Sequence, residues 1–306
     1  MVDSANNEQQ VEDERWSELD HVSMTKQAAK LRAQYLRNKK PFLRKRTTVA
    51  NLLFPGVSPE DYIPGESIQI FAESVESKNT NVPFDFYKLP VCPSVTQDGK
   101  KRSSYRKNLG QRLIGYSFHP TSYDIQTLEN KGCTTLCQID IDRNQMKFLQ
   151  KLIRDRYRIQ FTLDSMPVVM RSSQDNYVIR GFPVGFVDQT SSGDDAFYLY
   201  NHLRFTVYYN DKEAGTDPEG KILHRITGFD VHPVSIVHQG DIQNELETCD
   251  SEAGPVLNDP ANFLRLNIIS DNSKSVPVIY SYEVSWILSD VSVSAINRVV
   301  SKSYQP

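Results

Sequence analysis

Between residues 177 and 286 the chain is cut into short runs of alternating apolar and polar residues, each closed by a turn cluster. That punctuation constrains the fold more than any other feature. The runs are 177–182, 184–187, 197–199, 203–209, 221–232, 263–269 and 278–286, with Gly, Asp, Asn, Ser and Pro gathered between them. A period of two places one face of a strand on a core and the other in solvent. Many short strands separated by turns define a sandwich or a barrel. Upstream, 67–72, 84–89 and 133–141 carry the same alternation, as does 157–163 before the turn Asp164-Ser165-Met166-Pro167. The 15 tyrosines and 14 phenylalanines push the same way, because aromatic rings fit a pleated, half-buried surface.

One segment of the main body breaks the pattern. Over 143–156, Met146, Leu149, Leu152 and Ile153 recur at helical spacing, and Asp142 stands where an N-cap belongs. A second, shorter amphipathic helix is expected over 23–37, with Ala28, Leu31 and Tyr35 on one face and Pro41 ending it. The expected fold is therefore mainly β, an antiparallel, jelly-roll-like β-sandwich with one inserted helix and a short N-terminal amphipathic helix. The organisation expected is a charged N-terminal segment over 1–48, the β domain over 49–291 and a divergent tail over 292–306. Acids crowd residues 1–20, and 26–46 carries only basic charge, a block that reads most plainly as a solvated tail.

Composition removes several function classes. No stretch approaches the roughly 18–20 continuous apolar residues of a membrane span, and no secretory signal is evident. A net charge of −3 argues against bulk nucleic-acid binding. By composition alone the profile is that of a soluble cytosolic protein. Phosphate-binding glycine loops and the G-x-S-x-G nucleophile turn are absent, and no H-E-x-x-H or H-x-H unit marks a metal site. Asp140 and Asp142 form a D-x-D, but Asp142 is more simply a helix cap. No cofactor, metal, catalytic residue or small-molecule substrate is expected. His202, His224, His232 and His238 share the C-terminal half and read as hydrogen-bonded structural histidines.

The chain has 4 cysteines, Cys92, Cys133, Cys137 and Cys249. C-x3-C alone is a weak zinc signal. On a strand, residues four apart lie about 13 Å apart, too far for a direct disulfide. Cys133 and Cys137 would each need another partner, and Cys92 and Cys249 are available. Two long-range disulfides imply an oxidising compartment; four buried thiols are the alternative. The pairing is open among three possibilities.

Phe84-Asp85-Phe86-Tyr87-Lys88-Leu89-Pro90-Val91-Cys92 alternates as an edge strand and then meets Pro90, which has no N–H to offer a sheet. It is one of an ordered series. Phe54-Pro55-Gly56-Val57-Ser58-Pro59 resembles L/V-P-G-x-A-P, and Phe84–Cys92 is similar to Pro-Tyr-Glu-Tyr-Tyr-Ser-Leu-Pro-Phe-Cys. Asn108-Leu109-Gly110 with Leu113 and Gly115 resembles Asn-Leu-Gly-Glu-x-Leu-x-Gly. Cys133–Cys137 matches Cys-x-x-Leu-Cys, and Asp164 with Pro167 sits in a likeness of Leu-Asp-Asn-Leu-Pro-Val. Asn201-His202-Leu203 matches His-Asn-His-Leu, Phe229 and Pro233 match Gly-Phe-Glu-Val-x-Pro-x-Ser-Ile, and Trp286 matches Tyr-x-Val-x-Trp-x-x-Ser-Asp. Each motif is weak alone, and the shared order over 52–292 makes the match specific. The chain resembles the nonaspanin family, also called endomembrane protein 70 or the transmembrane 9 superfamily.

The resemblance implies a lumenal domain of a nine-span protein of Golgi and endosomal membranes, associated with sorting other membrane proteins, with no enzymatic activity. Its implied partners are membrane-protein cargo and the membrane half of such a protein. Two departures stand out. Family members begin with a cleaved signal peptide, where this chain has polar residues 1–48. The family also continues into a membrane span where 292–306 diverges, so the expected piece is the lumenal part without its membrane half. A lectin-like sandwich, requiring exposed aromatics beside a polar groove, and a hydrolase on a β scaffold, requiring converging carboxylates or a histidine constellation, are the competing readings.

Overall fold

The computed structural model describes residues 60–80, 82–94, 119–164, 166–171, 178–190, 193–211, 216, 220–239, 246–249, 260–267 and 275–290. All of them belong to the unit Pro55–Pro306. The expected N-terminal helix, the polar stretch 95–107 and the motif residues Pro55, Gly56, Asn108, Leu109 and Gly110 lie outside the described residues.

The strands in chain order are β1 (Asp61–Tyr62), β2 (Ser67–Glu76), β3 (His119–Gln126) and β4 (Lys131–Ile141). The helix α1 (Arg143–Arg154) follows, then β5 (Arg158–Leu163), β6 (Met166–Pro167), β7 (Val169–Arg171), β8 (Val178–Arg180) and β9 (Phe182–Pro183). The rest are β10 (Gly185–Gln189), β11 (Asp195–Leu199), β12 (His202–Asn210), β13 (His224–Val234) and β14 (Val276–Leu288). A 7-stranded sheet runs β4-β14-β12-β13-β7-β8, with β1 also on β13; a 5-stranded sheet runs β3-β2-β5-β6, with β9 on β5; β10 and β11 form a hairpin.

Alternation sets which face of each sheet is apolar. Val278, Tyr280, Tyr282 and Val284 of β14 are buried beside Leu203, Phe205 and Val207 of β12. Ile68, Ile70 and Ala72 of β2 are buried with Ile159, Phe161 and Leu163 of β5. Tyr123 of β3 joins the layers, its ring 5.2 Å from Phe205 and 5.3 Å from Tyr282 at near-perpendicular angles, and 5.7 Å from Phe161. Edge-to-face contact of this kind is how two inner sheet faces interdigitate.

α1 carries the chain from β4 in the larger sheet to β5 in the smaller. Asp142 caps it in a reciprocal pair with Gln145, and Met146, Leu149, Leu152 and Ile153 are buried. The β10–β11 hairpin closes on this helix at Gly185, where a Cβ would stand 2.7 Å from Ile153 Cδ1 and collide with the Tyr198 carbonyl. Only glycine permits that approach.

The structure corrects three expectations and adds the strand β3. The larger sheet is mixed, because β12 runs parallel to β14 and β13 parallel to β7; β14 reaches β12's free edge only after the long excursion from Val234 to Val276, and a long connection can return a strand in either sense. Residues 84–89 are not a strand: Phe84 makes one bridge with Val75, and Phe86–Lys88 is a 3₁₀ turn. Asp85 drives this by accepting from the Tyr87 N–H at 2.8 Å, a local bond that competes with sheet pairing. In 263–267 there is one bridge, Arg265 to Tyr198, rather than a strand. Finally, β3 escaped the pattern, since buried Thr121 stands at an inward position and Pro120 interrupts the run; the proline is tolerated because β3 is an edge strand.

Candidate functional site

The outer face of the larger sheet should be solvated, yet His202 of β12 is 0% exposed and Ser281 of β14, its register partner, 1% exposed. They are covered by two described pieces of the chain that leaves β13, 235–239 and 246–249, which together form a strap. Asn201 fixes the start of this strap: its side-chain amide donates to the Ile236 and Ile279 carbonyls at 2.8 Å each and accepts from the Ile236 N–H at 2.9 Å. Asn201→Ala is expected to cost about 3 kcal/mol, read from the denaturant midpoint, because three buried backbone groups lose their partner. The Cys133–Cys249 disulfide holds the other end on β4.

Beneath the strap runs a continuous polar chain. Ser281 Oγ lies 2.7 Å from His202 Nδ1 and 2.7 Å from His238 Nε2, and His238 Nδ1 lies 2.8 Å from Thr248 Oγ1. A serine has one proton, so it donates to one ring and accepts from the other. His202 Nε2 faces Glu283 Oε2 at 3.9 Å, which favours a proton there. Ser281 then donates to His202, His238 donates to Ser281, and Thr248 donates to His238. Charging both rings would make Ser281 accept twice and put two cations 6.5 Å apart between ring centres. Burial, with His238, Arg204 and His232 adding, accordingly holds His202 down to about 3, and burial holds His238 down to about 4.

Ser281, His202 and Glu283 have the residue types of a hydrolytic triad, which is what the hydrolase reading requires. Their setting differs from a working one. The serine is closed from solvent, its oxygen is shared between two imidazoles, and Glu283 is engaged by Arg204. A nucleophile must meet its substrate.

The other motif residues act as clips. Cys92 is bonded to Cys137, with Cα atoms 5.9 Å apart, and Cys133 to Cys249, with Cα atoms 5.0 Å apart. The first tethers the turn that follows Phe86–Lys88 to β4. The Tyr87 hydroxyl donates to the Pro120 carbonyl at 2.7 Å, and the Pro90 carbonyl accepts from the Tyr280 hydroxyl at 2.9 Å. Leu89 is buried, Phe229 stacks on Phe205 at 5.4 Å, Pro167 pairs with Thr162, and Pro233 lies opposite Leu203. Trp286 packs half-buried against the core. Ser281, His238 and Thr248 carried no sequence signal as a group, because they meet only through sheet register and the strap.

Asp164 stands in the left-handed region, φ 46, at the β5–β6 turn. Its Oδ2 accepts from the Glu60 N–H at 3.3 Å. Burial pushes its carboxyl up to about 7, with those Glu60 and Tyr62 hydrogen bonds opposing and the Glu60 and Asp61 charges adding. A folded value above the unfolded 3.8 means stability is lost as pH rises from 3.8 through 7. Asp164→Asn keeps the acceptor and tolerates this backbone. It is expected to stabilise the domain by about 1–2 kcal/mol at pH 8, allowing for solvent screening, with the gain shrinking towards pH 4 in a pH series of denaturant melts.

A different group meets the surface on the β10–β11 hairpin. Phe186 stacks on Tyr198 at 4.9 Å, with Tyr200 at 5.4 Å and Phe263 at 5.3 Å from the Phe186 ring. All four are half-buried. Among the described residues, no group of three or more His, Cys, Asp or Glu could hold a metal ion, and no helix is long and apolar enough to cross a membrane.

Fold and site thus define a disulfide-braced β-sandwich whose buried Ser281 and His202 lie beneath a strap. Compared with known proteins, the chain matches the Endomembrane protein 70 family over residues 83–303. It is 29% identical over 261 residues to Transmembrane 9 superfamily member 11 of Arabidopsis thaliana, a match covering 78% of this chain and 37% of that protein. It is 32% identical over 207 residues to member 10 of the same plant, covering 64% and 31%, and 26% identical over 256 residues to member 4 of Mus musculus, covering 78% and 37%. The chain belongs to the endomembrane protein 70, or transmembrane 9, family. It spans about a third of the length of these relatives.

Proposed function

We propose that this chain is the lumenal domain of an endomembrane multi-spanning protein, with a non-enzymatic recognition or structural role in the sorting of membrane-protein cargo. The observation that carries the lumenal placement is the pair of disulfides, Cys92–Cys137 and Cys133–Cys249. Such bonds persist in oxidising compartments. Family membership and the transmembrane names of the relatives support attachment to a membrane. The non-enzymatic part is supported by the closed setting of Ser281 and His202. Thiol counting on protein recovered from the secretory pathway tests the placement: no reactive thiol in the unfolded, unreduced chain is the expected result, and four free thiols would sink it.

A second reading has one observation in its favour. The half-buried ring cluster of Phe186, Tyr198, Tyr200 and Phe263 is the kind of surface that stacks on a sugar. A glycan array decides it: binding lost in Tyr198→Ala would favour the lectin-like role, and no binding would remove it.

A further inference from the structure

The described residues include eight large hydrophobic side chains left exposed, and four of them, Ile63, Ile222, Ile287 and Leu288, gather at one end of the larger sheet. Register brings them there. Leu288 lies beside Tyr209 at the end of β12, Tyr209 lies opposite Ile226 near the start of β13, and Tyr62 at the end of β1 lies opposite His224. Ile222 lies two residues before β13 and Ile63 immediately follows β1. At about 4.8 Å per strand, β14, β12, β13 and β1 make a front roughly 15 Å wide. The smaller sheet reaches the same end, since the Gly65 N–H donates to the Thr127 carbonyl at 2.9 Å across the β1–β2 and β3–β4 turns.

The front has an amphipathic rim. The Trp286 ring lies 6.1 Å from that of Tyr209, its backbone N–H donates to Asn130 Oδ1 at 2.7 Å, and its indole nitrogen is buried, with no acceptor among the described residues. Exposed aliphatic residues backed by tryptophan and tyrosine suit the zone between lipid headgroups and acyl chains. Ile287 at 46%, Leu288 at 59% and Ile222 at 58% are more exposed than an isolated soluble domain needs. Among the described residues the neighbouring charges include Glu66, Glu129, Asp211 and Asp290 beside Lys221, with Arg225 paired to Asp61, a balance that gives anionic headgroups no advantage.

We propose that this end of the sandwich is its bilayer-facing surface and rests on zwitterionic lipid, an assignment that builds on the membrane-attached reading above. Ile222, Ile287 and Leu288 enter the interfacial zone, with the half-buried Trp286 ring packed behind them.

The test is flotation of the disulfide-bonded 306-residue chain with phosphatidylcholine vesicles at millimolar lipid. The wild type is expected to float, and Ile222→Ser/Ile287→Ser/Leu288→Ser to bind about tenfold less. Val187→Ser/Val276→Ser, which removes exposed valines elsewhere, should float like the wild type, and adding phosphatidylserine should not raise binding. In a Trp16→Phe background, brominated phosphatidylcholine should quench Trp286. Wild-type protein left at the bottom of the gradient, equal losses in both variants, or self-association lost in the triple variant without flotation would each overturn the proposal. Failure with both disulfides intact leaves the lumenal reading standing, whereas four free thiols overturn that reading whatever the vesicles do.

Discussion

Cys133→Ser/Cys249→Ser is expected to lower the unfolding free energy by about 3–5 kcal/mol, more than loss of the shorter-loop Cys92–Cys137 bond. The bond spans a sequence separation of 116, so it removes much freedom from the unfolded chain. Its native-state effect is as specific. Cys249 ends the short turn Glu247–Cys249, next to Thr248, which meets His238, and after Leu246, which is buried. Without the bond, the far end of the strap is held, among the described residues, by the Thr248 side chain and by buried Leu246. Urea melts of the oxidised wild type and the double variant measure the difference. A second readout separates strap release from loss of loop-closure entropy: once Thr248 withdraws and water enters, the His238 titration followed by NMR should move up from about 4 towards its ordinary value. Equal stability of the two proteins would refute the bracing role.

Acid is the second strong lever. His202 and His238 have folded values of about 3 and about 4 against an ordinary 6.5. Depressed folded values make their contribution complete above pH 6.5 and progressively lost as pH falls below it, because the unfolded chain takes up protons that the folded chain refuses. At pH 5 this amounts to about 2 kcal/mol for fully buried His202 and roughly 1 kcal/mol for partly exposed His238 after screening. Asp164 works in the opposite direction, gaining over the window from 7 down to 3.8. The wild type should therefore change only modestly between pH 7 and 5, and variants should expose the balance. Asp164→Asn should make the domain acid-sensitive, while His238→Gln, which still bonds Ser281, should bind close to one proton fewer on unfolding at pH 5. An unchanged proton uptake in His238→Gln would show that this ring is already charged in the folded state. Under the lumenal proposal, such compensation suits a domain that meets acidic compartments.

Both effects reside in residues whose roles the linear pattern left undefined. The strands β12 and β14 were legible because their apolar positions alternate, and α1 because a helical stripe follows a capping aspartate. The 84–89 run was misread because one aspartate side chain bonding its own backbone outcompetes a pairing that the aromatics alone would favour. β3 was missed because an inward threonine that donates to the Ile70 carbonyl at 3.0 Å is polar in sequence and satisfied only in the fold. The parallel pairing of β12 with β14 has no sequence signature at all, since side-chain alternation is the same in either sense.

The class of fold, the inserted helix, the family and the set of cysteines are readable along the chain. These depend on periodicity, on local capping and on residue types kept in order. The tertiary structure alone decided how the cysteines pair, which outer-face residues are hidden, and where the exposed hydrophobic side chains collect. Each of those requires groups far apart in the chain to share a place: Cys133 with Cys249, His202 with His238 and Ser281, Ile63 with Ile222 and Leu288. Register and the covering strap set these neighbours, and neither can be read from spacing along the chain.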